Sequence, residues 1–247
     1  MKFTIITVCY NSEAVISETI DSVLMQTCRD FEYIIKDGGS TDSTLDIIRE
    51  YQTEMKIQLI SQDDTGIYNA MNYAIKHACG DYILFLNSGD RLYDENVLED
   101  IRNLLDKEKP DIIYGNMVAV KNDGTGVPVY YAKKKRLGRL KIALGYTVCH
   151  QVIFAKKELF KEKCFDESYK FWADQEWLSY WLGKNIGIRP FDRPIVYYDT
   201  NGVSSDCENL DIIREENDRI VKKYMAGYGF MIIFIKKIVR NLRNMVK

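Results

Sequence analysis

Phe31-Glu32-Tyr33-Ile34-Ile35-Lys36-Asp37-Gly38-Gly39-Ser40-Thr41-Asp42 is the stretch whose reading decides the fold. Phe31–Ile35 is a short β-rich run, and Asp37 ends the strand. Gly38-Gly39 break it, and Ser40-Thr41-Asp42 supplies a cap for a helix marked by Leu45, Ile47 and Ile48. The same unit recurs on either side. Upstream, Phe3–Val8 is a strand, Asn11-Ser12 a cap, and residues 13–27 carry Ile16, Ile20, Val23 and Leu24 at helical spacing. Downstream, Ile57–Ile60 leads into a helix over 66–78, and Tyr82–Leu86 into the pattern Val97, Leu98, Ile101, Leu104, Leu105.

Four strands alternating with helices predict a mostly parallel sheet covered on both faces, an α/β fold. In such sheets the ligand sits beyond the carboxyl ends of the strands. The polar clusters Tyr10-Asn11, Asp37–Ser40, Asp63-Asp64 and Asn87–Asp90 all fall there. After residue 110 the rhythm loosens: a strand over 111–120, a turn at Asn122-Asp123-Gly124, a basic run Lys133–Arg139, and a strand over Gln151–Ala155. A helix from about Asp174 to Leu182, a strand pair around 187–198 and a long helical tail follow.

The totals narrow the function. A chain of 247 residues, 46% hydrophobic and 28% charged, suits one large α/β domain with a modest appendage. The net charge of −2 provides no pull toward nucleic acid. Six scattered cysteines without a CxxC pair and two histidines do not assemble a zinc site of the usual spacing, and imply reduced, cytoplasmic thiols. The apolar run at the N-terminus reads as a buried strand rather than a signal sequence, and no run approaches the roughly 20 residues that span a bilayer.

The ordered motifs carry a resemblance. Thr7-Val8-Cys9-Tyr10-Asn11, Lys36–Thr44, Gly66-Ile67-Tyr68-Asn69-Ala70-Met71-Asn72, Gly80-Asp81-Tyr82 and Leu86-Asn87-Ser88-Gly89-Asp90 together resemble family 2 glycosyltransferases with the GT-A fold. The likeness covers roughly residues 3–205, dense to residue 95 and sparse beyond. It implies a nucleotide-sugar-binding half over 1–110, an acceptor and catalytic half over 111–206, and a helical, basic tail over 207–247. It also implies an inverting transferase that moves a sugar from a nucleotide-diphosphate donor to an acceptor hydroxyl, in surface polysaccharide or glycan assembly.

Residue roles follow from the same likeness. Asp37 becomes the acceptor of a uracil imide N–H and Tyr10 the aromatic on the ring; read alone, Asp37 is equally a turn cap and Tyr10 a core residue. Guanine also offers an N–H, so a GDP-sugar fits Asp37 too. Asn87–Asp90 stands where the family carries an acid-rich metal motif. Only Asp90 remains as a carboxylate, making it the ligand for Mg²⁺ or Mn²⁺, with Ser88 and Asn87 at the ribose or diphosphate. Asp64 and Asn72 flank the third helix and are candidate nucleotide contacts; Asp64 is also a candidate helix cap.

Asp174, opening a helix after Phe171-Trp172-Ala173, aligns with the family's catalytic base, which takes the acceptor's proton. Glu176 is the fallback. Positions 174 and 176 point about 200° apart on a helix, so one of the two faces the site. Trp177 and Trp181 read as core and Trp172 as an acceptor platform; His150 falls by position near the acceptor or phosphates, though a lone histidine also reads as structural. Asn201–Ser205 reads as a loop closing over the donor or as an ordinary surface loop.

Residues 229–247 are apolar and basic, a pattern suited either to the interface of an anionic membrane and a lipid-linked acceptor, or to packing on the protein or a dimer partner. Three other readings remain. A nucleotidyltransferase lacks its glycine-rich phosphate loop here, since the first turn is Cys9-Tyr10-Asn11-Ser12. An oxidoreductase lacks GxGxxG. A catalytically dead scaffold is supported only by the reduced acidity at 87–90.

Overall fold

The structure is a computed structural model and describes residues 2–121, 123–132, 137–200, 209–225 and 227–245. The Asn201–Ser205 segment, Cys207, residues 133–136 of the basic run and the side chains beyond residue 238 lie outside what is described.

The first half is built as its periodicity dictates. β1 (Phe3–Cys9), α1 (Ile16–Leu24), β2 (Phe31–Asp37), α2 (Thr44–Tyr51), β3 (Ile57–Ser61), α3 (Ile67–Ile75) and β4 (Tyr82–Phe85) follow in turn. Every residue of β1 and β4 is buried, the mark of strands covered on both faces. The strands pair in parallel in the order β3-β2-β1-β4. The chain winds outward from β1 to β3 and then returns to the other side of β1. This reversal puts a crevice beyond the ends of β1 and β4.

The second half extends this sheet with antiparallel partners. β5 (Arg91–Leu92), α4 (Val97–Lys107), β6 (Ile112–Val120), β7 (Gly126–Val129), α5 (Arg139–Ala143), β8 (Ile153–Lys156), α6 (Lys157–Glu162), α7 (Ala173–Trp181) and β9 (Ile188–Asp199) precede α8 (Leu210–Tyr224) and α9 (Gly229–Met245). β8 runs antiparallel to both β4 and β6, β9 runs parallel to β6, and β7 and β5 pair at the margins. One sheet thus spans both halves.

The strand pair expected around 187–198 is a single twelve-residue strand, β9. Its Pro190 and Pro194 suggest a break, but they lie where the register with β6 shifts around Asn116, and such irregularities tolerate proline. The tail is two helices rather than one. α8 packs on α5 and α7, and α9 folds back onto α8.

Candidate active site

The crevice is shaped first by interlocking turns. Cys9 of β1 pairs with Asp37 of β2, so both strands end level. Asn11, in the left-handed region at φ 46°, accepts the Thr41 N–H at 2.9 Å, and its own N–H reaches the Ser40 hydroxyl at 2.8 Å. A Cβ on Gly38 would lie 2.7 Å from Asp64 Oδ2, and one on Gly39 would meet the Asp63 carboxylate. The paired glycines thus make room for Asp63-Asp64, and Gly39 also takes φ +86°. Lys36, fully buried, ties the two turns together. Its ammonium donates to the Asp37 and Gln62 carbonyls and pairs with Asp64 Oδ2 at 3.1 Å.

A cavity of about 930 Å³ opens there. Tyr10, Asp64, Ser88, Asp90 and Asp174 all line it, so five of the seven residues singled out in the sequence share one space. Tyr10 stands at the rim, 62% exposed. The Ser88 hydroxyl is 2.9 Å from that of Ser12. Trp172 also lines the cavity, while Trp177 and Trp181 are buried in the core.

Asp37 and Asn72 are placed differently. The Asp37 carboxylate is fully buried and accepts from the Gly39 N–H (3.0 Å), the Ser40 N–H (3.1 Å), the Ser40 hydroxyl and the Ser61 hydroxyl (2.9 Å). As arranged, it folds its own loop and does not line the cavity. Asn72 does not line the cavity either. Its side chain spans to the backbone N–H and carbonyl of Phe165 (3.0 and 2.9 Å) and to Glu167 (2.8 Å). The reason is helical register: Tyr68, Met71, Asn72 and Ile75 form the buried stripe of α3.

Asp90 sits deep, with one oxygen accepting from Gln151 Nε2 and the other from the Asp199 N–H, each at 3.0 Å. Burial pushes its carboxyl up to about 7, and the neighbouring Asp199 carboxylate adds to this. Asn87 Oδ1 and Gln151 Oε1, in the same cavity wall, are buried without a hydrogen-bond partner. A cation beside Asp90 would relieve the carboxylate and give such oxygens something to face. Among the described residues no cluster of three or more His, Cys, Asp or Glu side chains forms. Asp90 and the neighbouring amide oxygens are hard oxygen donors, the kind that fit Mg²⁺ or Mn²⁺ when phosphate oxygens complete the set.

Asp174, at the start of α7, lines the same cavity. Its Oδ1 accepts the Gln175 N–H at 2.7 Å and lies 3.4 Å from the Tyr68 hydroxyl, which donates to the Phe171 carbonyl at 2.7 Å. Burial, aided by the Asp174 charge, keeps the Tyr68 phenol protonated. His150 Nδ1 lies 3.1 Å from Asp174 Oδ2, and Asn87 Nδ2 lies 3.0 Å from His150 Nε2. With the amide donating to Nε2, the ring proton sits on Nδ1 and points at Asp174.

Glu176 points to the other side of the helix, as the 200° separation requires. It is fully buried, pairs with Lys163 (3.0 Å) and Lys223 (2.7 Å), and accepts from the Tyr224 hydroxyl.

A family model for glycosyl transferase family 2 matches residues 4–163, about two thirds of the chain. The chain belongs to glycosyl transferase family 2. It is 34% identical over 161 residues to a PGL/p-HBAD biosynthesis glycosyltransferase of Mycobacterium tuberculosis (strain H37Ra). That match covers 64% of this chain, which spans about 60% of the relative's length. Identity is 33% over 132 residues to the poly(ribitol-phosphate) beta-N-acetylglucosaminyltransferase TarS of Staphylococcus aureus (strain Mu50), covering 52% of this chain and 22% of TarS.

Among solved structures, S. aureus TarS 1–349 in complex with UDP-GlcNAc superposes with a TM-score of 0.75 at 24% identity, covering 94% of this chain and 70% of that one. A Pyrobaculum calidifontis mannosyltransferase with GDP-Man and Mn²⁺ gives 0.70 at 14%, covering 94% and 67%. The fold is the GT-A type, a curled, mostly parallel sheet with flanking helices.

Several side chains around the site find their partners only in the fold: Tyr68, although it stands inside the Gly66–Asn72 motif, His150 and Asp199. Glu216 of α8 is another case: its carboxylate accepts the backbone N–H groups of Lys170, Phe171 (3.0 Å) and Trp172 (3.0 Å), fixing the segment that launches α7. The acidic residues at 199 and 216 were the available clue, without a partner in view.

Proposed function

We propose that the chain is an inverting glycosyltransferase that moves a sugar from a UDP-sugar to an acceptor hydroxyl, in assembly of a surface polysaccharide or glycolipid. One observation carries this reading. A buried carboxylate held by an imidazole, Asp174 with His150, shares one cavity with Asp90, Ser88, Asp64 and Tyr10. A base and a donor site must open on the same space, because in inversion the acceptor, deprotonated by the base, attacks the anomeric carbon on the side opposite the leaving diphosphate.

Tyr10 packs on the base and Asp64 and Ser88 meet the ribose or diphosphate. The N-terminus of α3, which begins at Ile67 in the cavity wall, favours phosphate through the N–H groups of its first turn; those of Gly66 and Thr65 just before it go to Asp64 and Asn69. For Asp37 to take the uracil imide, the Ser40 hydroxyl or an N–H of its own loop must release one oxygen. Asp90, with Asp199 beside it, would hold Mg²⁺ or Mn²⁺. When bound, such a cation offsets the charge that develops on the departing diphosphate. Asp174 accepts the acceptor proton on a lone pair not used by Gln175, Tyr68 or His150.

The staphylococcal neighbour bound to UDP-GlcNAc supports a hexosyl or N-acetylhexosaminyl group on UDP, with GDP as the second nucleotide on the strength of the mannosyltransferase. A saccharide, free or lipid-linked, is the acceptor class. Free thiols at Cys9, Cys28, Cys79, Cys149 and Cys164 accord with a cytoplasmic setting.

The test is stereochemical. The protein is incubated with α-linked UDP-sugars, water or saccharides serve as acceptor, and early product is read by proton NMR. A β-configured product is expected. An α-configured product would remove Asp174 from its assigned role.

A further inference from the structure

The C-terminal helix is covered on only one side. Ile232 and Ile233 of α9 join Ala143 of α5 and Val221 of α8 in a small buried cluster. Lys236, on the same side, donates to Asn217 and pairs with Asp218 at 3.3 Å. At about 100° per residue, Phe230, Met231, Phe234, Ile235 and Ile238 fall on the opposite face. All five are exposed, Phe230 to 86%. Soluble surfaces scatter such residues singly, whereas a continuous apolar stripe marks a surface that something covers. The adjoining α5 adds exposed Leu140 and Leu144.

Charge selects the occupant. Residues 229–247 contain Lys236, Lys237, Arg240, Arg243 and Lys247 and no acidic residue. A second copy of this helix would bring like charges together, whereas an anionic lipid surface complements them. No helix among the described residues is long and apolar enough to cross a membrane. A basic, one-sided helix of 17 residues instead lies in the plane of the interface.

The covered side of α9, not its apolar stripe, adjoins the large cavity. A second cavity of about 200 Å³ is lined by Arg214, Ile233, Lys236 and Lys237. Trp172 and Ile213 line both this groove and the large cavity, so the two are neighbours across those side chains.

We propose that α9 docks the chain on an anionic bilayer, with its Phe230–Ile238 face sunk into the headgroup and acyl boundary. Docked this way, the chain sits at the surface that would carry its acceptor, a saccharide on a membrane lipid. The docking stands on α9 alone; the source of the acceptor rests on the transferase reading above.

The full chain is sedimented with phosphatidylcholine vesicles, with and without phosphatidylglycerol, while UDP binding is measured in parallel. Binding to the anionic vesicles is expected, falling at high salt. Phe230→Ser with Phe234→Ser should weaken it by roughly tenfold or more, since two buried rings are lost. Lys237→Ala should weaken it about fivefold on anionic vesicles alone. The double variant should bind UDP as the wild type does, so loss of docking and loss of the transferase reading are separate results. Equal sedimentation of wild type and double variant overturns the proposal. So does a wild-type chain that ignores vesicles and instead dimerises in solution, with the same two substitutions dissolving the dimer.

Discussion

Replacing Asp174 by Asn is expected to lower turnover by roughly 10²- to 10⁴-fold while leaving the affinity for UDP unchanged. The asparagine keeps the size of the side chain and can still accept from the Gln175 N–H and approach the Tyr68 hydroxyl, which hold it now at 2.7 and 3.4 Å. What disappears is the capacity to take a proton. The bonds of Asp174 go to Gln175, Tyr68 and His150 rather than to Tyr10, Asp64 or Ser88, so the assigned nucleotide contacts should not notice the change. Steady-state UDP release together with calorimetric UDP titration separates the two quantities. Weakened UDP binding in step with turnover would mean that Asp174 belongs to the donor side. Retained turnover would move the base elsewhere, and Glu176 is a poor replacement because it points into the core.

Replacing Glu176 by Ala should damage the fold rather than the chemistry. Its carboxylate gathers Lys163, Lys223 and Tyr224, so it joins α7 to α8. Removing one partner of a buried ionic group leaves the others uncompensated, at a typical cost of 3–5 kcal/mol. Lys223 is 45% exposed and can turn to water, so about 3 kcal/mol is the better expectation here. For a chain of this size that lowers the melting temperature by roughly 6–12 °C. Glu176→Gln, which still offers an oxygen to Tyr224, should lose less. An unchanged melting temperature with abolished turnover would overturn this assignment and make Glu176 the catalytic group.

The parts of the molecule that were legible in the sequence are those held together locally. β1 to β4 and their helices show because apolar spacing and turn residues repeat within short windows. Family membership shows because five motifs keep their order. The two-residue β5 is too short to leave a pattern, and the prolines of β9 hide a strand whose irregular register only its neighbour β6 explains.

Within the site, Asp90 and Asp174 stood out, but their surroundings did not. Asp199 is 109 residues from Asp90, and His150 is 24 from Asp174. Glu216 binds backbone N–H groups, which no motif reveals. The bonds of Asn72 to Phe165 and Glu167 follow from a register that was visible: Tyr68, Met71, Asn72 and Ile75 share one stripe, and a polar residue on a buried stripe usually bonds within the protein. Asp37 shows the same limit, since its loop supplies three donors and Ser61 of β3 a fourth, none of which the sequence announces.

A nucleotide panel in a thermal-shift measurement, with and without Mn²⁺, tests the central claim most directly. UDP in hundredfold excess over its dissociation constant should add about 2.7 kcal/mol to stability. That corresponds to roughly 5–11 °C in melting temperature, seen only with the metal present and lost in Asp90→Asn. No shift for any nucleotide, with or without metal, would contradict the assignment of this cavity to a nucleotide-sugar donor.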